Sequence, residues 1–434
     1  MNKNAVSLLV ANLANLTQLG KGFSKIASVW PTRFITLLTI LFIAVVAYWR
    51  IQHQFPELLD FYNAYYPAGR LILEHPEQLY GSAKLSIYGF VNLPILAYLF
   101  TPFSLLDEYQ SSILFTLLGV FSIFAIGLVL IKLADLQRWK KLCFIALLII
   151  SSPLYNSIWY GNSTHFVFLL VLGSFLSFHR QKDIWSGALL AIAGLIKIPL
   201  LFPIIYFLLK RRWQIVISFF ATLFAIVGLS ILVCGLSLNL VWFKECILAF
   251  SGQVFAAYNV QSVDAFLIRL LTDTPIDAAQ YVEGNWLFKL LRYGIFSLLI
   301  GGTLLACWRS RHITSTQVEN LEFSSFLCLT LLISPISWTH YYLFLLLPIA
   351  LYLGGQLSIP SGWRWSALMT LSILLVIAPN VRNIPTAHPV IVALTRHILV
   401  SHYFWGGVLL LGVLLTSLLG QTRMKQSAVS DISK

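Results

Sequence analysis

Charge is what this chain has least of. Only 10% of its 434 residues are Asp, Glu, Lys or Arg, while 58% are hydrophobic. A soluble domain carries roughly 25% charged residues, so a water-soluble protein is excluded and a polytopic membrane protein is expected. Cysteine is scarce, five in all, and shows no metal-ligand spacing. Only Cys234 and Cys246 stand as a pair that could share a side and form a disulfide. Asp-x-Asp occurs nowhere, which removes the usual metal–diphosphate grip of soluble nucleotide-sugar enzymes. A Gly-x-x-x-x-Gly-Lys-[Ser/Thr] loop and a His-Glu-x-x-His helix are also lacking, and no metal or other cofactor is expected. No repeat relates the two halves, which weighs against transporters built from inverted repeats. A cleavable signal peptide is not expected either. Asn12, Asn15 and Gln18 break the first apolar stretch, and no small-residue cleavage site follows.

What is present is a series of apolar runs. The expected spans are 34–50, 111–134, 142–156, 164–179, 185–197, 199–209, 214–234, 286–307, 323–339, 341–355, 364–379 and 403–420, an all-α membrane protein of about twelve transmembrane helices. Residues 1–33 read as a cytoplasmic amphipathic segment, with Leu9, Leu13, Leu16, Leu19, Phe23 and Ile26 at helical spacing, and 421–434 as a cytoplasmic tail. With the N-terminus inside, the cytoplasmic side holds 19 Lys+Arg and 5 Asp+Glu, and the outer side 10 and 11. The net charges, +14 and −1, sum to the +13 of the whole chain. This positive-inside bias accounts for the basic character without a nucleic-acid partner. Pro94 and Pro102 break the apolar segment 88–106. Letting it span would move Lys132, Arg138, Lys140, Lys141, Arg180 and Lys182 outside, so 88–106 is expected to be interfacial or re-entrant. The stretch 185–209 then becomes a hairpin of two short helices.

The few polar groups gather in segments assigned to the outer side. Asp60 opens an aromatic stretch in which Tyr62, Tyr65, Tyr66 and Arg70 fall near helical spacing and Leu71, Ile72 and Leu73 are free to face lipid, with Tyr80 soon after. Tyrosine rings suit a sugar, which offers C–H faces and hydroxyls; the plainer reading is a helix N-cap at Asp60 beside an interfacial aromatic belt. Lys197, in Gly-Leu-Ile-Lys-Ile-Pro, sits at the hairpin tip. A lysine in an apolar run costs roughly 2.5–3.5 kcal/mol on insertion scales. A phosphate would offset that, as would snorkelling to the interface. Trp159 and Asn162 lie between two spans, and 258–262, with Gln261 and Ser262, opens a helix expected to end at Arg269. Ser334-Pro335 interrupts an apolar region ahead of Trp338 and His340, where Ser334, Ser337 or water would satisfy the freed backbone. His340 could meet phosphate or a sugar hydroxyl, or serve only as a structural hydrogen-bonder.

Taken in order, Asp-Phe-Tyr-x-Ala-Tyr-Tyr-Pro-Ala-Gly-Arg (60–70), Leu-Tyr-Gly (79–81), Tyr-Gly-Phe-Val-Asn-Leu-Pro (88–94), Gly-Asn (161–162), Gly-Leu-Ile-Lys-Ile-Pro (194–199), Asn-Val-Gln-Ser (259–262) and Ser-Pro-Ile-Ser-Trp-Thr-His-Tyr-Tyr (334–342) resemble glycosyltransferase family 87. The resemblance covers roughly 34–420. Members often show a proline pair after the early tyrosine, where this chain has Tyr88-Gly89-Phe90 and a single Pro94. The resemblance implies a GT-C bundle with interfacial helices in the first outer loop. It implies transfer of mannose or a related sugar from a polyprenyl-phosphate carrier to a glycan, glycolipid or lipid acceptor outside the plasma or inner membrane. It further implies Asp60 as general base in an inverting displacement. Lys197, with His340 or Arg269, would then hold the departing phosphate. Sugar contacts would come from Tyr62, Tyr65, Tyr66, Trp159, Asn162, Gln261, Ser262 and Trp338. The competing class is a transporter or flippase of lipid-linked sugars.

Overall fold

The computed structural model describes residues 57–81, 89–248, 254–276, 281–382 and 388–432, with side chains up to 422. The expected first span, 34–50, and the amphipathic segment 1–33 lie outside these. The chain divides into two units, Met1–Gln54 with Gln137–Ile150 and Phe55–Leu136 with Ser151–Lys434. Of the smaller, the described part is the Arg138–Ile150 helix. All that follows concerns the larger.

Four helical stretches among the described residues are long and apolar enough to cross a membrane: Glu108–Leu133, Trp213–Leu248, Trp286–Ser310 and Pro389–Thr422. The first shows why its sequence folds as it does. Asp107 accepts from the Gln110 N–H at 2.9 Å, Glu108 stands in the first turn and Lys132 in the last, so capping and dipole agree. At about 1.5 Å per residue its 26 residues reach about 39 Å, enough for the hydrocarbon layer. Leu117, Phe121, Phe124 and Leu128 are exposed, while Ser111, Ser112, Phe115, Gly119 and Ser122 are buried. Small residues on the packed face are what helix contact inside a membrane favours.

Several of the other expected spans fall on shorter apolar helices, including Thr164–His179, Asp183–Ile196 and Trp363–Ile377. The described residues of segment 88–106 carry the short helical run 94–104, a 3₁₀ stretch Pro94–Phe100 followed by Thr101–Ser104. It packs on the Tyr66–Glu74 helix at Gly69, where a Cβ would collide with the Phe100 carbonyl. On that helix Ile72 is buried and Leu73 exposed, so the expected lipid-facing trio divides. The stretch 185–209 does break at Lys197, between Asp183–Ile196 and the 3₁₀ turn Ile198–Leu201.

Several boundaries differ from expectation. The helix starting at Trp213 does not stop near 234; it bends at Gly235, which has φ 79°, and runs on to Trp242 and a π-helical turn ending at Leu248. The Asn239 amide donates to the carbonyls of Ser230 and Gly235 at 3.1 and 2.8 Å, satisfying backbone groups that the bend frees. Cys234 and Cys246 lie on either side of this bend and are free thiols, not a disulfide. The Thr316–Ile333 helix also ends earlier, at Ser334-Pro335. Ser334 Oγ donates to the Ile336 carbonyl at 3.1 Å. The neighbouring backbone pairs with segment 259–261 through an isolated bridge at Val260 and Trp338: Gln261 N–H to Ser337 O at 2.6 Å and Thr339 N–H to Asn259 O at 2.8 Å. Ser337 Oγ itself has no partner.

Candidate active site

Asp60 is placed by backbone pairing rather than by capping. Leu58 and Asp60 donate their N–H groups to the carbonyls of Trp159 and Tyr160, at 2.9 and 2.8 Å. The two segments joined by these bonds each pass through a left-handed residue, Leu58 at φ 45° and Gly161 at φ 64°. A Cβ on Gly161 would stand 2.8 Å from Phe61 Cβ, so only glycine fits the turn. Below it, Phe61, Tyr65, Phe100, Phe103 and Phe115 form an aromatic floor, with Tyr65 stacked on Phe100 at 4.6 Å. A π-helical turn, Phe61–Tyr65, opens right after Asp60, and its carboxylate makes no cap to that turn. The N-cap reading of Asp60 is thereby corrected: the left-handed approach through Leu58 leaves the carboxylate free to point elsewhere.

It points at Asn162, whose Nδ2 donates to Asp60 Oδ2 at 2.5 Å. The other end of the same amide, Oδ1, accepts from Lys197 Nζ at 3.0 Å and from Thr164 through its N–H at 3.1 Å and Oγ1 at 2.6 Å. The result is a chain of carboxylate, amide and ammonium. Lys197 is 8% exposed and lies 4.9 Å from the centre of the Tyr341 ring. Burial raises the Asp60 carboxyl above its ordinary range, while the Asn162 bond and the Lys197 charge pull the other way. Asp60 stays only half-buried, so it remains accessible to a second molecule.

Around this chain the structure gathers Ser157 and His165, which the sequence did not single out, and His340, which it did. Ser157 Oγ and His165 Nδ1 share a hydrogen bond of 2.8 Å. His165 Nε2 and His340 Nε2 are both buried without hydrogen-bond partners, and both imidazoles lie within electrostatic reach of Lys197. Thr164 had one legible signal, its place two residues after Asn162 at a helix start. Among the described residues no three His, Cys, Asp or Glu side chains come together to hold a metal ion.

The other residues singled out from the sequence are distributed as follows. Tyr65 OH pairs with Ser163 Oγ at 3.0 Å, against the loop that carries Asn162. Tyr62 and Trp159 are half-buried, the latter against Tyr155 at 5.3 Å, and Trp338 lies parallel to His340 at 6.4 Å. Tyr66 OH donates to Leu106 O at 3.0 Å and Tyr80 OH to Asn92 O at 2.6 Å. Arg70 is exposed and pairs with Glu74 at 2.9 Å. Gln261 Nε2 donates to the carbonyls of Tyr258 and Val400, both at 2.7 Å, and Ser262 caps the Val263–Leu271 helix. Arg269 is fully buried: Nη1 donates to Ala257 and Val260 carbonyls at 2.9 and 2.8 Å, and Nε and Nη2 both reach Ser401 Oγ. Its guanidinium is committed to the protein. Its described bonds join the 256–260 loop to Ser401 rather than to the Asp60 chain, so it is not brought to Lys197.

A polyprenol-phosphate-mannose-dependent alpha-(1-2)-phosphatidylinositol pentamannoside mannosyltransferase of Mycolicibacterium smegmatis is 27% identical over 289 residues. The match covers 64% of this chain and 66% of that relative, just under two thirds of its length. Residues 90–335, more than half of the chain, match glycosyltransferase family 87; Asn162 and Lys197 fall inside that match, Asp60 and His340 outside it. The apolar helices and this match together identify a helical membrane protein that belongs to glycosyltransferase family 87.

Proposed function

We propose that this protein transfers a sugar, mannose in the first instance, from a polyprenyl-phosphate carrier to a hydroxyl of a glycan, glycolipid or lipid acceptor. It acts on the outer side of the plasma or inner membrane, within a GT-C arrangement of about twelve helices. The observation that carries the reading is the chain Asp60–Asn162–Lys197, which holds a half-buried carboxylate and a buried ammonium on the two ends of one amide. An acceptor hydroxyl gives its proton to Asp60 while its oxygen attacks the anomeric carbon. The bond between that carbon and the phosphate oxygen breaks, and its electron pair leaves with the polyprenyl phosphate. Asp60 then releases the proton to water. Displacement in one step inverts the anomeric centre. The leaving group already carries charge, so no acid is needed; cations are, and Lys197 supplies the ammonium beside the phosphate. His340, with an unpartnered Nε2, supplies a second contact. Mannose is favoured because the relative's name specifies a polyprenol-phosphate-mannose donor and a glycolipid acceptor.

The test is transfer by purified protein given radiolabelled polyprenyl-phosphate mannose and a membrane lipid extract. Asp60→Asn keeps size and shape but cannot take the proton, so transfer falls by about 10²–10⁴-fold with donor binding retained. An Asn variant at near wild-type rate removes Asp60 as base. Wild-type protein that binds the donor, transfers to nothing in the extract and moves the lipid across liposomes instead would make it a flippase.

A further inference from the structure

Asn162 offers the right chemistry for a sugar contact, yet both ends of its amide are taken. Lysine ammonium and a backbone N–H can only donate, so the contacts from Lys197 and Thr164 fix Oδ1 on their side. The NH₂ group must then face Asp60, as it does. Nothing about the amide orientation is left to choice.

Resting on the reading of Asp60 as base and Lys197 as phosphate partner, we infer that Asn162 is a positioning residue, a neutral spacer that keeps the two charges close and apart. It holds both groups through hydrogen bonds while no direct ion pair joins them among the described residues. A direct pair would harm both roles. It would stabilise the carboxylate and make it a poorer base, and it would occupy the ammonium that the phosphate needs. The bond from Nδ2 also occupies Asp60 Oδ2, which leaves Oδ1 as the oxygen that takes the acceptor's proton. The anchors of the spacer are Thr164 and the Ser157 carbonyl, which receives the Asn162 N–H at 2.8 Å. The other titratable groups near Asp60 are Tyr65 and Tyr341, and those near Lys197 are His165 and His340.

Asn162→Leu matches the side chain in size and removes both bonds. In full-length protein in detergent or liposomes, with saturating polyprenyl-phosphate mannose, transfer falls at least tenfold and donor Kd rises about tenfold. The acid limb of the pH–rate profile moves down by about one pH unit or more, because Lys197 closes onto Asp60. In the background of Lys197→Met that downward movement disappears. Should Asn162→Leu fail to fold, Thr164→Val removes one anchor of Oδ1 and moves the limb the same way by less. An acid limb that moves up in Asn162→Leu makes Asn162 a mere donor to the carboxylate and overturns the spacer. Loss of stability with an unmoved limb and unchanged donor Kd assigns it a structural role only. If wild-type protein shows no transfer, the underlying reading fails instead, and donor binding alone then reports whether Asn162 supports Lys197.

Discussion

Among the described residues, Lys210 and Lys197 both stand near carboxylates in an apolar setting, and they are held differently. Lys210 Nζ touches Glu322 Oε2 directly at 2.8 Å, and Ser310 Oγ donates to the other oxygen at 2.5 Å. Glu322 is fully buried and Lys210 nearly so. Lys197 reaches Asp60 only through Asn162, and Asp60 is half-exposed. The direct pair neutralises itself and leaves nothing for a substrate. The bridged pair leaves one carboxylate oxygen and most of an ammonium's donors available. Burying charge is costly in either case. A direct pair recovers the cost within the protein, whereas a bridged one recovers it fully only when an anion arrives. Geometry thus separates a structural charge pair from a functional one where residue type does not.

The comparison breaks most easily at its structural half. Lys210→Met strands the Glu322 carboxylate in an apolar interior and costs about 3–5 kcal/mol of stability, read from unfolding in detergent. Transfer per folded molecule stays within about twofold. Adding Glu322→Leu recovers most of the loss, because an apolar pair of similar volume needs no compensation. If Lys210→Met abolishes transfer in molecules that remain folded, the direct pair is functional and the distinction collapses.

Lys197→Met is expected to do the reverse. It keeps the apolar stem and removes the charge, so folding is little affected. Donor affinity falls by about 1.5–3 kcal/mol, the scale of a hydrogen bond to a charged group. Binding of labelled polyprenyl-phosphate mannose measures it directly. Unchanged affinity would make Lys197 a snorkelling lysine, and a large loss of stability would put it with Lys210.

How much of this was legible in the sequence follows from the same physics. Asp60, Asn162 and Lys197 stood out separately, because a charge or amide within an apolar chain must meet something. That they meet one another depends on the left-handed turn at Leu58 and Gly161, and a leucine at φ 45° leaves no mark in a sequence. Arg269 drew attention for the same reason as Lys197, but its partners are mostly backbone carbonyls, which every residue has and no pattern reveals. The helix beyond Gly235 was missed because glycine and the polar Ser237 and Asn239 look like a loop; Asn239 instead repairs the bend. Thr164 and His165 were hidden at the start of an apolar run, where they read as ordinary helix-entry residues. Helices such as Glu108–Leu133, Thr164–His179 and Trp363–Ile377 have extents close to the expected spans, since an apolar run has few ways to satisfy its backbone without water.

The smallest effect concerns what supports the bridge. Tyr65 was singled out as a sugar contact, yet its hydroxyl is buried against Ser163, the residue after Asn162. The ring lies flat on Phe100, an arrangement that phenylalanine reproduces. Tyr65→Phe therefore removes two neutral contacts with Ser163, the hydroxyl pair at 3.0 Å and the longer bond that Tyr65 accepts from the Ser163 N–H at 3.4 Å, which costs about 0.5–1.5 kcal/mol of stability for the shorter and less for the longer. Some slack reaches Asn162 through Ser163, so transfer falls severalfold, less than in Asn162→Leu. Donor affinity changes by less than in Lys197→Met. Unfolding and donor-binding measurements on the same preparation separate the two roles. A support loses stability first. A sugar contact loses donor affinity with stability unchanged, and that result would return Tyr65 from the floor of the site to its wall.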